Sequence, residues 1–478
     1  MSNFGGNSNF GGNNNRGGGG RGGRGRGGRG RGGGRGRNSG GGNFHHGGGG
    51  GGFGSGQENV AAKAKMQPCR NFTSTGSCPN QNCKFAHVVK LHASLDAANP
   101  SQNQHQNTNN FNQNNNRHNN NQQRQQLEAV TAVAVWEQAG SIKIFTGSHD
   151  GFWRLWNTHG GTFHKEFEQA MGGKVECLKV AFNYLFCGFE GTSPALPGVQ
   201  VGMAHAWNLA NPNQPPLELQ MVPGMIPYAH GQAVTSILVI GAEGQPPKVV
   251  TGSRDGSIRI WTFQEGAFVM EKNLLGHARA VTGLAPIGTN LLWSGGMDFA
   301  LRIWDFASPQ GTCQHTITAQ AGDQPQSPAG ANVNPSQPQS GHSNAVTSLL
   351  QFDAPNNAGT FVLSSSLDGT VQAWNGGNGQ CVANENHGEG VVCMSMATDL
   401  KGNPLLLIGL ESGNIMVRNV LQSPSMPAFG LLLCLSARYT AGHNGACRSL
   451  CQGPSSTFYS CGSDGKLLVW QLTGDLGL

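Results

Sequence analysis

In the second half of this chain an aspartate precedes a tryptophan by six positions, four times over. The units are Thr251-Gly-Ser-Arg-Asp255-Gly-Ser-Ile-Arg-Ile-Trp261, Ser294-Gly-Gly-Met-Asp298-Phe-Ala-Leu-Arg-Ile-Trp304, Ser364-Ser-Ser-Leu-Asp368-Gly-Thr-Val-Gln-Ala-Trp374 and Ser460-Cys-Gly-Ser-Asp464-Gly-Lys-Leu-Leu-Val-Trp470. Three of them carry Asp-Gly, a tight hairpin turn, ahead of alternating strand residues. Upstream lie His230 and the pairs Gly276-His277, Gly341-His342 and Gly442-His443. Three looser units complete the column. Asp150 to Trp156 keeps the turn and the tryptophan without a Gly-His. Trp207 closes a unit with an insertion from Gly191 to Gly202. Glu411 to Arg418 has Glu for Asp and Arg for Trp. The longest step, from Trp304 to Trp374, contains a loop from Ala319 to Ser340 rich in Gln, Pro, Gly and Ser. A short sheet unit cannot bury its faces alone, so a fixed period of this length means stacked units. An open stack leaves a sheet edge exposed, which favours closure into a ring.

These units resemble the WD repeat family, and the resemblance spans residues 128–478. It implies an all-β, seven-bladed β-propeller that presents a rigid rim and a central channel to protein partners. It also implies that in each blade the His, a strand Ser or Thr, the turn Asp and the Trp form one buried hydrogen-bonded chain, as in His277, Ser294, Asp298 and Trp304. A buried Asp needs donors and a buried indole N–H needs an acceptor, so these histidines read as structural. Only eight residues follow Trp470, too few for an outer strand. The closing strand is expected just before Ala129, around Gln125–Glu128.

A second feature lies upstream. Cys69, Cys78, Cys83 and His87 are spaced C-x8-C-x4-C-x3-H. So short a stretch has no hydrophobic core, and three thiolates with one imidazole suit one structural, tetrahedral zinc. Gly76, Phe72 and the ending Lys84-Phe85-Ala86-His87 complete the resemblance to a CCCH zinc finger of the tristetraprolin kind. In that family single-stranded bases stack on aromatics and bond to the backbone. The resemblance puts Phe85 at a stacking position and Phe72 where an aromatic more often joins the finger's own small core. Asn80 stands where a second stacking aromatic is expected. Arg70, Lys84 and Lys90 offer phosphate contacts. The expected RNA-facing set is Arg70, Phe72, Lys84, Phe85 and Lys90; the alternative is a zinc-stapled protein-docking patch. A single CCCH finger ahead of WD repeats is similar to the zinc finger CCCH and WD repeat proteins best represented in plants.

Charge divides the chain. Residues 1–128 hold 15 Lys+Arg against 3 Asp+Glu, and residues 129–478 hold 16 against 22, so the net +6 is a basic front on a mildly acidic body. Eight arginines alternate with glycine runs between Arg16 and Arg37, a composition that stays disordered and binds RNA through guanidinium stacking and phosphate forks. The domain plan is a disordered Gly/Arg-rich tail (1–62), the finger (63–92), a disordered Asn/Gln-rich linker (93–127) and the propeller (128–478). No signal peptide or membrane-length apolar run is visible. Nucleus or cytoplasm and reduced cysteines are therefore expected. No nucleophile–base pair, phosphate loop or carboxylate dyad appears, so neither an enzyme nor a small-molecule substrate is expected. The function these features point to is an RNA-associated adaptor.

Overall fold

The computed structural model describes residues 67–100 and 127–476, apart from residues 139, 160–161, 194, 196, 242–246, 320–340, 356–357, 424–425, 428, 439–440 and 475. The Gly/Arg tail and the middle of the Asn/Gln stretch, both expected to be disordered, lie outside the described residues. One six-residue helix, α1 (Arg70–Thr75), comes first, followed by a strand, β1 (Val89–Asp96). Seven four-stranded antiparallel sheets account for almost all the rest. Blades 1 to 6 are built in chain order from residues 130–170, 175–218, 234–274, 281–317, 346–386 and 391–435. Blade 7 takes three strands from residues 447–472, and its fourth is β1. The seven-bladed all-β ring is as expected.

The closing strand is not where the sequence placed it. β1, rather than Gln125–Glu128, pairs antiparallel with Lys466–Leu472, from Val89 opposite Leu472 to Asp96 opposite Lys466. Its register copies the other blades. Trp470 lies opposite Leu91 and Val469 opposite Ala93, skipping His92; in blade 3, Trp261 lies opposite Met270 and Ile260 opposite Lys272, skipping Glu271. The boundaries at 92/93 and 127/128 therefore fall inside the ring's own structure. The reason is visible in the residues: Val89-Lys-Leu-His-Ala-Ser-Leu-Asp96 alternates apolar and polar, whereas the Gln-rich segment forms strands poorly. The bulge at His92 turns Val89 and Leu91 toward blade 6 and Ala93 and Leu95 toward blade 1. The residues that flank the Asn/Gln stretch meet: Pro100 and Leu127 form an antiparallel bridge and Glu128 N–H donates to the Asn99 carbonyl at 2.9 Å.

The hydrophobic core is divided into seven seams, each between adjoining blades. Val250, Ile258 and Ile260 of blade 3, for instance, pack on Val281, Leu292 and Trp304 of blade 4. Threonines latch several seams. Thr131, Thr235, Thr282 and Thr347 donate hydroxyl bonds of 2.6, 2.5, 2.5 and 2.8 Å to the Val175, Val281, Val346 and Val391 carbonyls of the next blade.

The hydrogen-bonded chain holds in blade 4 as expected. Trp304 Nε1–H donates to Ser294 Oγ at 2.8 Å, that hydroxyl donates to His277 Nε2 at 2.7 Å, and His277 Nδ1–H reaches Asp298 at 2.9 Å. Blades 5 and 7 repeat it through His342, Ser364, Asp368 and Trp374, and through His443, Ser460, Asp464 and Trp470. In blade 3, Thr251 is the hydroxyl and Ser257 stands between His230 and Asp255. Burial alone would raise these aspartate pKa values; the histidine and backbone donors outweigh it and hold Asp255, Asp298, Asp368 and Asp464 below the usual range. Blade 1 has no such histidine among the described residues, and buried Arg154 takes its place, bonding Asp150 at 2.6 Å, Ser148 at 2.9 Å and the Ala97 carbonyl at 3.0 Å.

Blade 6 departs from the sequence reading. Pairing of Ile408 with Met416 and of Leu406 with Arg418 aligns Ser412, not Glu411, with the turn aspartates. Ser412 receives its partner from outside, donating its hydroxyl to Glu389 at 2.8 Å. Ile408 replaces the strand serine and Arg418 the tryptophan, so buried His387 has no partner for either ring nitrogen among the described residues. Blade 4 has its own departure. Phe299 takes the left-handed conformation, φ 68°, that glycines 151, 256, 369, 413 and 465 take in the matching turns. For a residue with a Cβ that conformation costs on the order of 1 kcal/mol.

Candidate metal centre

The finger is drawn together by backbone before any ligand is considered. Cys69 N–H donates to the Ala86 carbonyl at 2.8 Å, and Ala86 N–H to the Gln67 carbonyl at 2.9 Å. That pair fixes the first cysteine beside the histidine end of the motif. Cys69 caps α1 in an extended conformation, and Gly76 ends the helix at φ 78° with its N–H on the Phe72 carbonyl at 2.8 Å. Glycine is needed there: a Cβ would be strained and would press on Lys90 Cε at 3.4 Å. Cys83 closes a turn on the Asn80 carbonyl at 3.2 Å, and Asn80 Oδ1 accepts Asn82 N–H at 3.0 Å. Asn80 thus holds the shortened gap between the second and third cysteines.

These constraints bring the ligand atoms of Cys69, Cys78, Cys83 and His87 within 4.8 Å of one another. Cys69 Sγ and Cys78 Sγ are 3.6 Å apart, close to the ~3.8 Å edge of a tetrahedron with ~2.3 Å zinc–sulfur arms. His87 Nε2 is buried and has no hydrogen-bond partner among the described residues. A buried nitrogen left open beside three thiols fits a metal bond better than any other role. Burial raises the Cys69 thiol, but the Phe72 backbone amide and the neighbouring Cys78, Cys83 and His87 bring it down to about 7, which favours the thiolate. Cys69, Cys78, Cys83 and His87 suit one structural zinc, which would link them where the segment has no interior. All twelve cysteines are free; outside the finger Cys187, Cys393, Cys447 and Cys461 are buried and Cys313 is exposed.

The RNA-facing residues separate into two groups. Phe85 is 47% exposed, and Arg70 and Lys84 are exposed as well. Phe72 instead stacks on His87, ring centroids 5.0 Å apart and 16° from parallel, so it orients the metal-binding imidazole. Lys90, half-buried, lays its stem under the Gly76 cap.

The finger is packed on blade 7. β1 begins two residues after His87. Thr473 N–H donates to the Val88 carbonyl at 2.9 Å, and a Cβ on Gly474 would touch the His87 carbonyl at 3.1 Å. Ala86 and Val88 pack on the seam between blades 6 and 7. Farther along, His92 meets Gln471 at 2.6 Å and Asp96 meets Lys466 at 2.7 Å. Residues 93–96, expected to open a linker, thus belong to a strand that finger and ring share.

Comparison with known proteins agrees with both parts. The family model for the zinc finger C-x8-C-x5-C-x3-H type (and similar) matches residues 65–89. The WD domain, G-beta repeat model matches residues 121–157 and 435–471, and that of the tRNA methyltransferase TRM82 WD40 domain matches residues 230–374. Zinc finger CCCH domain-containing protein 17 of Oryza sativa subsp. japonica is 26% identical over 411 residues, 86% of this chain and 73% of the rice protein. F-box/WD repeat-containing protein sel-10 of Caenorhabditis elegans is 31% identical over 157 residues, 29% of this chain and 22% of that protein. Among solved structures the WD40 propeller domain of Doa1 superposes with a TM-score of 0.52 at 15% identity, covering 81% of this chain and 98% of that one, a likeness of fold alone.

Proposed function

This chain is a CCCH zinc-finger and WD-repeat protein, and from that premise we propose that it is an RNA-associated adaptor. The finger and the arginine-glycine tail contact single-stranded RNA, and the ring recruits proteins that act on it. The observation that carries the reading is Phe85, an aromatic left 47% exposed on a finger that otherwise turns its aromatic inward, with exposed Arg70 and Lys84 on the same small module. One stacked base contributes about 1–3 kcal/mol, a modest anchor that the tail's eight clustered arginines would reinforce without sequence choice. The match of residues 230–374 to the WD40 domain of a tRNA methyltransferase supports a platform that works on RNA together with a modifying enzyme. Such a role belongs in the nucleus or cytoplasm.

Binding of a labelled single-stranded RNA of mixed sequence tests this. Removing residues 1–62 from the chain should lower affinity and flatten its salt dependence. In the remaining chain Phe85→Ala should weaken binding about fivefold or more, from the stacking energy above. Unchanged binding by Phe85→Ala removes the finger from the RNA contact. It favours the second reading, a zinc-stapled protein-docking finger, which the inward Phe72 and the turn-forming Asn80 support.

A further inference from the structure

Seven equivalent positions surround the ring's axis on the face that carries the Asp-containing turns. At each, a backbone N–H donates to the carbonyl just ahead of its blade's innermost strand. They are His149, Glu190, Arg254, Met297, Leu367, Glu411 and Ser463, bonded to residues 129, 174, 233, 280, 345, 390 and 446. Their chemistry is not evenly distributed. On blades 1 to 3 the charges satisfy one another: Arg254 reaches Glu176 at 2.9 Å and Glu190 at 3.4 Å, and His149 lies 3.6 Å from Glu176. Blades 4 and 5 present Met297, 46% exposed, and half-buried Leu367. Blade 6 presents exposed Glu411 and, two residues past His387, Glu389; neither is paired with a cation among the described residues.

Phe299 adds to the apolar sector. It stands 38% exposed two residues after Met297, in the left-handed turn position that is glycine in blades 1, 3, 5, 6 and 7. The turn beneath it is fixed, since Asp298 is held by His277 and by the Ala278 and Ala300 amides. An aromatic kept exposed in a conformation that disfavours it does nothing for folding. Rigid exposed aromatics beside aliphatic side chains are what interface centres are made of.

We propose that Met297, Phe299 and Leu367 form the docking patch for a protein partner. The partner presents an aromatic or aliphatic side chain to blades 4 and 5 and a lysine or arginine to Glu389 and Glu411 on blade 6. The unneutralised carboxylates beside the apolar sector select that basic neighbour by charge complementarity. This rests on the ring being a protein-binding platform and names the face it uses.

Random peptides displayed on phage are selected on the full chain. Binders are then measured by fluorescence polarisation against the wild type, Phe299→Gly, Met297→Asp and Glu411→Lys. Selected peptides should carry an aromatic or aliphatic residue within a few positions of Lys or Arg. Phe299→Gly and Met297→Asp should each weaken them at least tenfold and Glu411→Lys at least threefold. Phe299→Gly restores the glycine turn, so its melting temperature should equal or exceed that of the wild type, separating lost binding from lost folding. Ring binders unaffected by all three substitutions overturn the patch and leave the platform reading standing. A selection that returns no ring-dependent binder overturns both.

Discussion

The finger and the ring solve the same problem by opposite means. The ring buries apolar side chains in seven seams and satisfies its polar interior with its own hydroxyls, imidazoles and carboxylates. Among its described residues the finger has only Pro68, Cys69 and Thr73 buried before β1, and it leaves His87 Nε2 open. One part is held by area, the other by a metal. Yet neither is self-sufficient. The ring closes only with a strand that begins two residues after the finger's histidine, and the finger's last residues lie on the ring's seam. Two modes of stabilisation meet in one strand, and the experiments that separate them follow from that.

The largest effect is expected from removing residues 1–96. Without β1, Trp470 and Leu472 lose their cover and fully buried Val89 is gone. At about 1.5–3 kcal/mol per fully buried apolar side chain the ring loses several kcal/mol. Calorimetry should show the main transition more than about 10 °C lower, or an aggregating chain with an open sheet edge. Removing only residues 1–62 should leave the transition in place. Equal transitions for the two truncations would mean that the ring closes without β1.

Metal removal comes next. A chelator, or Cys78→Ser, should unfold the finger and free the first residues of β1. The ring's transition in the full chain should then drop by a few degrees, the shift expected for ~1–2 kcal/mol in a domain of this size. An unmoved transition would show that Val88 and Thr473 hold the strand without help from zinc, and the two regions would be joined in space only.

Much of this was legible in the sequence, for a physical reason. Zinc ligands are specified by chemistry at fixed spacing, so Cys69 to His87 could be read directly, and the His–Ser–Asp–Trp sets, such as His277 to Trp304, followed from the resemblance to WD repeats. The closing strand is specified by partners that lie almost 380 positions away, as His92 and Gln471 show. Its own alternation was visible but adjoined a motif that drew it into the finger. Arg154 standing in for a histidine, and Glu389 supplying Ser412, were hidden because each substitute comes from a different place along the chain from the residue it replaces. Phe72 carries both expectations, an RNA contact and a place in the finger's own small core, and its stack on His87 follows the second.

Within the ring, blade 4 and blade 6 divide along the same line as ring and finger. His277→Ala should cost about 2–3 kcal/mol, because it strands the Ser294 hydroxyl and the Asp298 carboxylate together. His387, like His87, is a buried imidazole with open nitrogens, but its neighbours are Ile408 and Arg418 rather than three thiols. His387→Leu should therefore be neutral or stabilising at pH 7.5.

The last test follows His387 by pH. Burial, with repulsion from Arg418, pushes His387 down from 6.5 to about 3. Above pH 6.5 both folded and unfolded chains carry it neutral, so its contribution is flat. Between pH 6.5 and 3 the unfolded chain gains a proton that the folded chain refuses, and stability falls by up to about 1.4 kcal/mol per unit. The turn aspartates, depressed in the fold, are lost only as pH drops below about 4, the ordinary carboxylate range. Melts at pH 7.5, 6 and 5 should show His387→Leu gaining on the wild type as pH falls, with the difference opening below 6.5. A difference independent of pH would mean that His387 is not held neutral. The open nitrogens of blade 6 would then have a partner after all, and the contrast with the candidate metal ligand His87 would fail.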